Sequence, residues 1–134
     1  MSAKSIYELP TPVLLLDWPA AKRNIDCAAA LVADTQAKLR PHFKNHKCIP
    51  LAKEQMAAGG CVGFTAATLH EADVLLQAGM DVLLANQLVG DAAIQRLVGL
   101  AAGRPLRGIV DDLENAGAIG AAAAAVGNDI GVLV

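Results

Sequence analysis

The spacing of its apolar runs constrains this chain more than any other feature. The segments 38–44 (KLRPHFK), 61–65 (CVGFT), 81–86 (DVLLAN) and 107–111 (RGIVD) each read as a strand, and their polar ends are Lys44, Thr65, Asn86 and Asp111. Those ends lie 21, 21 and 25 residues apart. Each interval holds one helical pattern, so the unit is a strand followed by a helix, repeated. Such a repeat predicts an α/β fold with a parallel sheet and right-handed crossovers. Both a doubly wound sheet and part of a (β/α)8 barrel satisfy it.

Local signals mark the helices. Asp17 follows the extended run 12–18 and can cap a helix in which Ile25, Ala28, Ala29 and Val32 recur at helical spacing. Ile49, Ala52 and Met56 share a face of a second helix that Gly59-Gly60 ends. Thr68 and Glu71 have capping-box spacing before a third. Ile94, Leu97, Val98 and Ala101 mark a fourth, which Gly103 stops. Asp112 can cap a fifth, rich in alanine, that runs to about Gly127. A last apolar strand, 129–134, closes the sequence.

The chain has 134 residues, 54% hydrophobic and 18% charged, with a formal net charge of −2. This suffices for one core, excludes disorder and argues against a nucleic-acid partner, which usually meets a basic protein. There is no basic-then-apolar leader and no apolar run of about 18 residues, so no membrane partner is expected and the location reads as cytoplasmic. Cys27, Cys48 and Cys61 form no CxxC pair and read as buried free thiols. Because the sequence stops within an apolar strand, and a complete barrel takes about 250 residues, we expect the first half of a barrel, truncated at Val134. A small complete open sheet is the alternative.

The segment LRPHFKNHK gathers Arg40, His42, Lys44, His46 and Lys47 within nine residues (39–47). On a strand, Leu39, Pro41 and Phe43 would face the helices, while Lys38, Arg40, His42 and Lys44 would face the barrel interior. Pro41 warns of irregular geometry. Unpaired cations are costly in a low-dielectric core, so an anionic or carbonyl-bearing partner is expected, or a neutral amine. A neutral lysine amine is a nucleophile, and Lys44 ends its strand where barrel enzymes place their chemistry. The reading is a Schiff-base lysine at Lys44 with Arg40 and His42 shaping its field and Thr65, Asn86 and Asp111 on the same rim. An exposed basic sheet edge is the competing reading. His42 and His46 lie four apart but not on a helix, so no metal site is assigned to them. His70, Lys47 and Lys53 read as solvated.

LPTPVLLLD, LRPHFKNHK, GGCVGFTAATLHEADVLLQAG and DVLLANQ together resemble the D-threonine aldolase and D-serine dehydratase group. These are pyridoxal-phosphate enzymes of fold type III with an alanine-racemase-like barrel. The resemblance covers about Leu9 to Val134. It implies that Lys44 carries pyridoxal 5'-phosphate, and that 19–134 form the first half of the cofactor-binding barrel. By the same resemblance 1–18 lead in from a β-rich second domain. It further implies a small D-amino acid substrate, a homodimer, and a divalent metal (Mn, Mg or Zn) held by residues beyond 134. Asn45 stands where threonine is common in the motif, and Ala67 where some relatives carry a polar residue. The activities implied are retro-aldol cleavage of a D-β-hydroxy amino acid, or its dehydration. Alternatives are a 3-hydroxy-D-aspartate aldolase, an amino-acid racemase and a non-catalytic carrier of pyridoxal phosphate.

Overall fold

In the computed structural model, residues 5–134 are described, so the first four residues of the 1–18 lead-in lie outside the described part. The elements follow the expected order: α1 (Trp18–Val32), α2 (Ile49–Ala57), β1 (Phe64–Ala66), α3 (Leu69–Gln77), β2 (Val82–Leu84), α4 (Asp91–Ala101), β3 (Leu106–Ile109), α5 (Leu113–Ala125) and β4 (Gly131–Leu133). The four strands are parallel and lie side by side in chain order. Thr65, Leu83, Arg107 and Gly131 stand level across them.

The caps form as the sequence indicates. The Asp17 carboxylate accepts from the Ala20 N–H at 2.9 Å, and that of Asp112 from the Asn115 N–H at 2.8 Å. Each satisfies an amide that the first helical turn leaves without a partner. The Thr68 hydroxyl likewise accepts from the Glu71 N–H at 3.2 Å, but the expected capping box does not close, because the Glu71 carboxylate accepts from the Ala67 N–H instead of that of Thr68. Ile94, Leu97, Val98 and Ala101 are all buried, and Gly103 ends α4 with a positive φ of 65°. Helices pack on the sheet face that carries Phe64, Val82, Leu84 and Leu106, and Gly108 on that face approaches the Leu97 side chain. Arg107 alternates to the opposite, less covered face. No helix of the described residues is long and apolar enough to cross a membrane.

Several expectations need correction. The strands are shorter than their apolar runs: 81–86 pairs only over Val82–Leu84, 107–111 is replaced by Leu106–Ile109, and 129–134 pairs over Gly131–Leu133. Met56 is exposed although Ala52 on the same helix is fully buried. Cys27 is exposed, and Cys48 and Cys61 are half-buried, because α1 turns Cys27 away from the Ile25 side.

The largest correction concerns 38–44, which is not a regular strand. It meets the sheet at two bridges, Leu39 with Cys61 and His42 with Thr65. Two residues between the bridges on one side therefore oppose three on the other, which is the signature of a bulge. Pro41 has no N–H to give, though its carbonyl accepts from the Thr65 N–H at 2.8 Å. The extra residue is absorbed next to Gly63, whose φ is +149°. A Cβ there would meet the Asp81 carbonyl oxygen at 2.4 Å and Arg40 Nη1 at 2.5 Å. After His42 the chain leaves the extended form for a 3-10 turn, Phe43–Asn45.

Gly63→Ala should therefore lower the unfolding free energy by about 2 kcal/mol or more, since positive-φ strain and a backbone clash add. Gly59→Ala, with φ +93° and nothing within 4 Å of the added Cβ, should cost visibly less. Denaturant midpoints of the two variants give the comparison.

Candidate active site

Lys44 sits in the middle of the 3-10 turn rather than at the end of a strand. The turn begins where the 39–42 segment leaves β1, so Lys44 still lies beyond the sheet in the strand direction. Phe43 anchors it: its ring is 2% exposed, and the next two side chains on the turn point out. The His46 and Lys47 amides both donate to the Phe43 carbonyl, at 3.2 and 2.8 Å. The His46 ring stands edge-on to Phe43, centroids 5.4 Å apart. Its Nδ1 accepts from the Cys48 N–H at 3.1 Å, which leaves the proton on Nε2, 3.3 Å from Gln55 Oε1.

Lys44 itself is exposed, and among the described residues it has no ion pair. Other cations of the region are engaged. Arg40 Nη1 donates to Asp81 Oδ1 at 2.6 Å, and Arg107 Nη1 reaches both oxygens of Asp81 at 2.9 Å. Asp81 precedes β2, and Arg40 precedes the His42 bridge. The triad thus belongs to the starts of the strands, and Lys44 to their ends. In barrel proteins the first position serves stability and the second chemistry. Arg40 is accordingly engaged with Asp81 near the strand starts.

The remaining rim residues divide. His42 and Thr65 are brought together by their bridge; His42 is exposed, and the buried Thr65 hydroxyl donates to the Arg40 carbonyl at 3.2 Å. Asn86 and Asp111 are exposed in the loops after β2 and β3. Gln87 Nε2 donates to Asp111 Oδ2 at 3.0 Å and ties those loops together, a contact that adjacency to Asn86 alone did not reveal. Lys47 is exposed, as read from the sequence, and its Nζ also lies 3.4 Å from Oε1 of the buried Glu71. Among the described residues no group of three or more His, Cys, Asp or Glu side chains converges as a metal site would.

The family described as "Alanine racemase, N-terminal domain" matches residues 16–134. The chain belongs to that family. Its parallel sheet and outer helices are part of the TIM-type barrel of the alanine racemase N-terminal domain. The D-threonine aldolase of Filomicrobium marinum superposes with a TM-score of 0.90 at 36% identity, over 96% of this chain and 35% of that one. The 3-hydroxy-D-aspartate aldolase of Paracoccus denitrificans (strain Pd 1222) is 34% identical over 129 residues, 95% of this chain and 33% of that protein. The D-threo-3-hydroxyaspartate dehydratase of Delftia sp. (strain HT23) is 35% identical over 118 residues, 87% of this chain and 31% of that protein. The chain spans about a third of the length of these relatives.

Thiol reactivity tests the burial of this region. Burial pushes the Cys61 thiol up, only partly offset by the Gly63 backbone and by nearby Arg40. A raised pKa means less thiolate at neutral pH. Alkylation followed by peptide mapping should therefore modify the exposed Cys27 well before Cys61, and the Cys61 rate should go on rising at more alkaline pH.

Proposed function

We propose that this chain supplies the lysine-bearing part of a pyridoxal-phosphate lyase that acts on D-β-hydroxy amino acids. The D-threonine aldolase reaction, metal-assisted cleavage to glycine and an aldehyde, is the preferred reading. The observation that carries it is the state of Lys44: an amine without an ion pair among the described residues, on an anchored turn beyond the C-terminal ends of a parallel sheet. The names of the relatives support the substrate class.

The residues present fit an aldehyde cofactor. A lysine amine free of carboxylates can condense with a carbonyl, and the nearby Lys47 ammonium is already paired with Glu71. Lys44 Nζ would hold the cofactor, with His42 and Asn86 as polar neighbours on the rim. When bound, pyridoxal phosphate supplies an electron sink. The carboxylate of Asp111, oriented by Gln87, offers a polar contact on the far side of the rim. In the dehydration reading Lys44 Nζ takes the Cα proton; in the aldol reading the β-hydroxyl loses its proton instead. The metal that assists either reaction would be held by residues beyond 134.

A second reading has specific support, because two relatives are named for 3-hydroxyaspartate, one an aldolase and one a dehydratase. Products separate the readings. D-Threonine cleavage gives glycine and acetaldehyde, and 3-hydroxyaspartate cleavage gives glycine and glyoxylate. Dehydration gives ammonia and a 2-oxo acid. Borohydride trapping of the full-length protein with pyridoxal phosphate should place the adduct on Lys44. Lys44→Ala should abolish that adduct and lower turnover by a factor on the order of a thousand or more. Unchanged cofactor binding in the Ala variant would overturn the proposal.

A further inference from the structure

We propose that Glu71 and Lys47 act as a pair of positioning residues that aim Lys44; this rests on the reading of Lys44 given above. Three observations meet at one carboxylate. Glu71 has its side chain only 5% exposed, although Lys47 beside it is 66% exposed. Its two oxygens do different things: Oε1 faces Lys47 Nζ at 3.4 Å, and Oε2 accepts from the Ala67 N–H at 2.8 Å. Ala67 lies in the loop that follows β1, and Lys47 closes the turn that carries Lys44. One buried charge therefore braces the two segments that meet at this part of the rim.

The backbone of Lys47 points the same way. Its φ is +48°, the only positive value at a non-glycine among the described residues. A side chain with a Cβ is strained there, and such strain persists only where the surroundings fix it. Glycine or asparagine would sit at this position with less strain. Lysine supplies what they lack, an ammonium that compensates a carboxylate otherwise buried without a cation. The amide of the same residue donates to the Phe43 carbonyl at 2.8 Å, so the ion pair and the turn closure act on one residue. On the other flank His46 ties the turn to Gln55 of α2. Lys44 is thus fixed in backbone and free in side chain.

Glu71 also completes a capping arrangement with Thr68, and the two roles can be separated. A glutamine at 71 keeps an acceptor for the Ala67 N–H but loses the charge for Lys47. A methionine at 47 keeps the length of the side chain and removes its charge. The experiment uses the full-length protein as wild type, Glu71→Gln, Lys47→Met, the double variant, Lys47→Arg and the exposed off-site control Lys53→Met. It measures the rate of imine formation with pyridoxal phosphate, the share of borohydride-trapped adduct on Lys44, and the thermal midpoint of each variant. The expected result is that both single variants slow loading of Lys44 on the order of tenfold to a hundredfold, the scale at which small displacements act. The double variant should be no slower than the slower single. Lys47→Arg should recover most of the rate, and Lys53→Met should match wild type. Wild-type loading rates in both single variants, effects that multiply in the double, or losses that vanish once each variant is assayed well below its own midpoint would overturn the inference. Absence of a Lys44 adduct in wild type would overturn the proposed function itself, so the two failures are distinct.

Discussion

The one-residue slip between segment 39–42 and residues 61–65 sets the shape of everything around it. It depends on Gly63, where a Cβ would collide with the Asp81 carbonyl and the Arg40 guanidinium. With this slip in place Arg40 meets Asp81, while the chain after His42 enters the turn that presents Lys44. A regular strand would have kept Lys38, Arg40, His42 and Lys44 in one row. The bulge instead separates a cation that holds strands together from a cation left available for chemistry.

What holds the turn is more modest in size than a core but more specific. Phe43 provides the apolar anchor, and replacing a buried ring of this kind with alanine typically costs about 3–5 kcal/mol. The polar contacts of His46 and Lys47 add direction rather than much stability, since each reaches to a different helix. Burial fixes where the turn sits, and hydrogen bonds fix how it is rotated. Lys44 needs both, because a nucleophile acts only within a narrow range of approach.

Much of this was legible in the residues. Asp17, Thr68 and Asp112 announced their helices because capping is local: donor and acceptor lie within a turn of each other. The stripe Ile94, Leu97, Val98 and Ala101 was legible for the same reason, since one helix defines its own face. Lys44 stood out through its basic neighbours and the motif around it. The partner of Arg40 was not legible, because Asp81 is 41 residues away and the contact depends on strand register. Glu71 was read only as part of a capping box; nothing local told that its carboxylate would reach back to Lys47. The bulge beside Gly63 was not legible, because only the count of residues between two bridges shows it.

Asp81 sets one negative charge against two guanidiniums. The open face of the sheet therefore keeps an unneutralised positive charge near the strand starts, beside Gly131, whose place leaves room for the Arg107 side chain. A surface that covered this face with apolar side chains alone would strand that charge away from water. Whatever closes over it must bring an acid or leave a wet channel to the outside. The triad thereby imposes a chemical condition on closure, at the end of the sheet opposite the lysine.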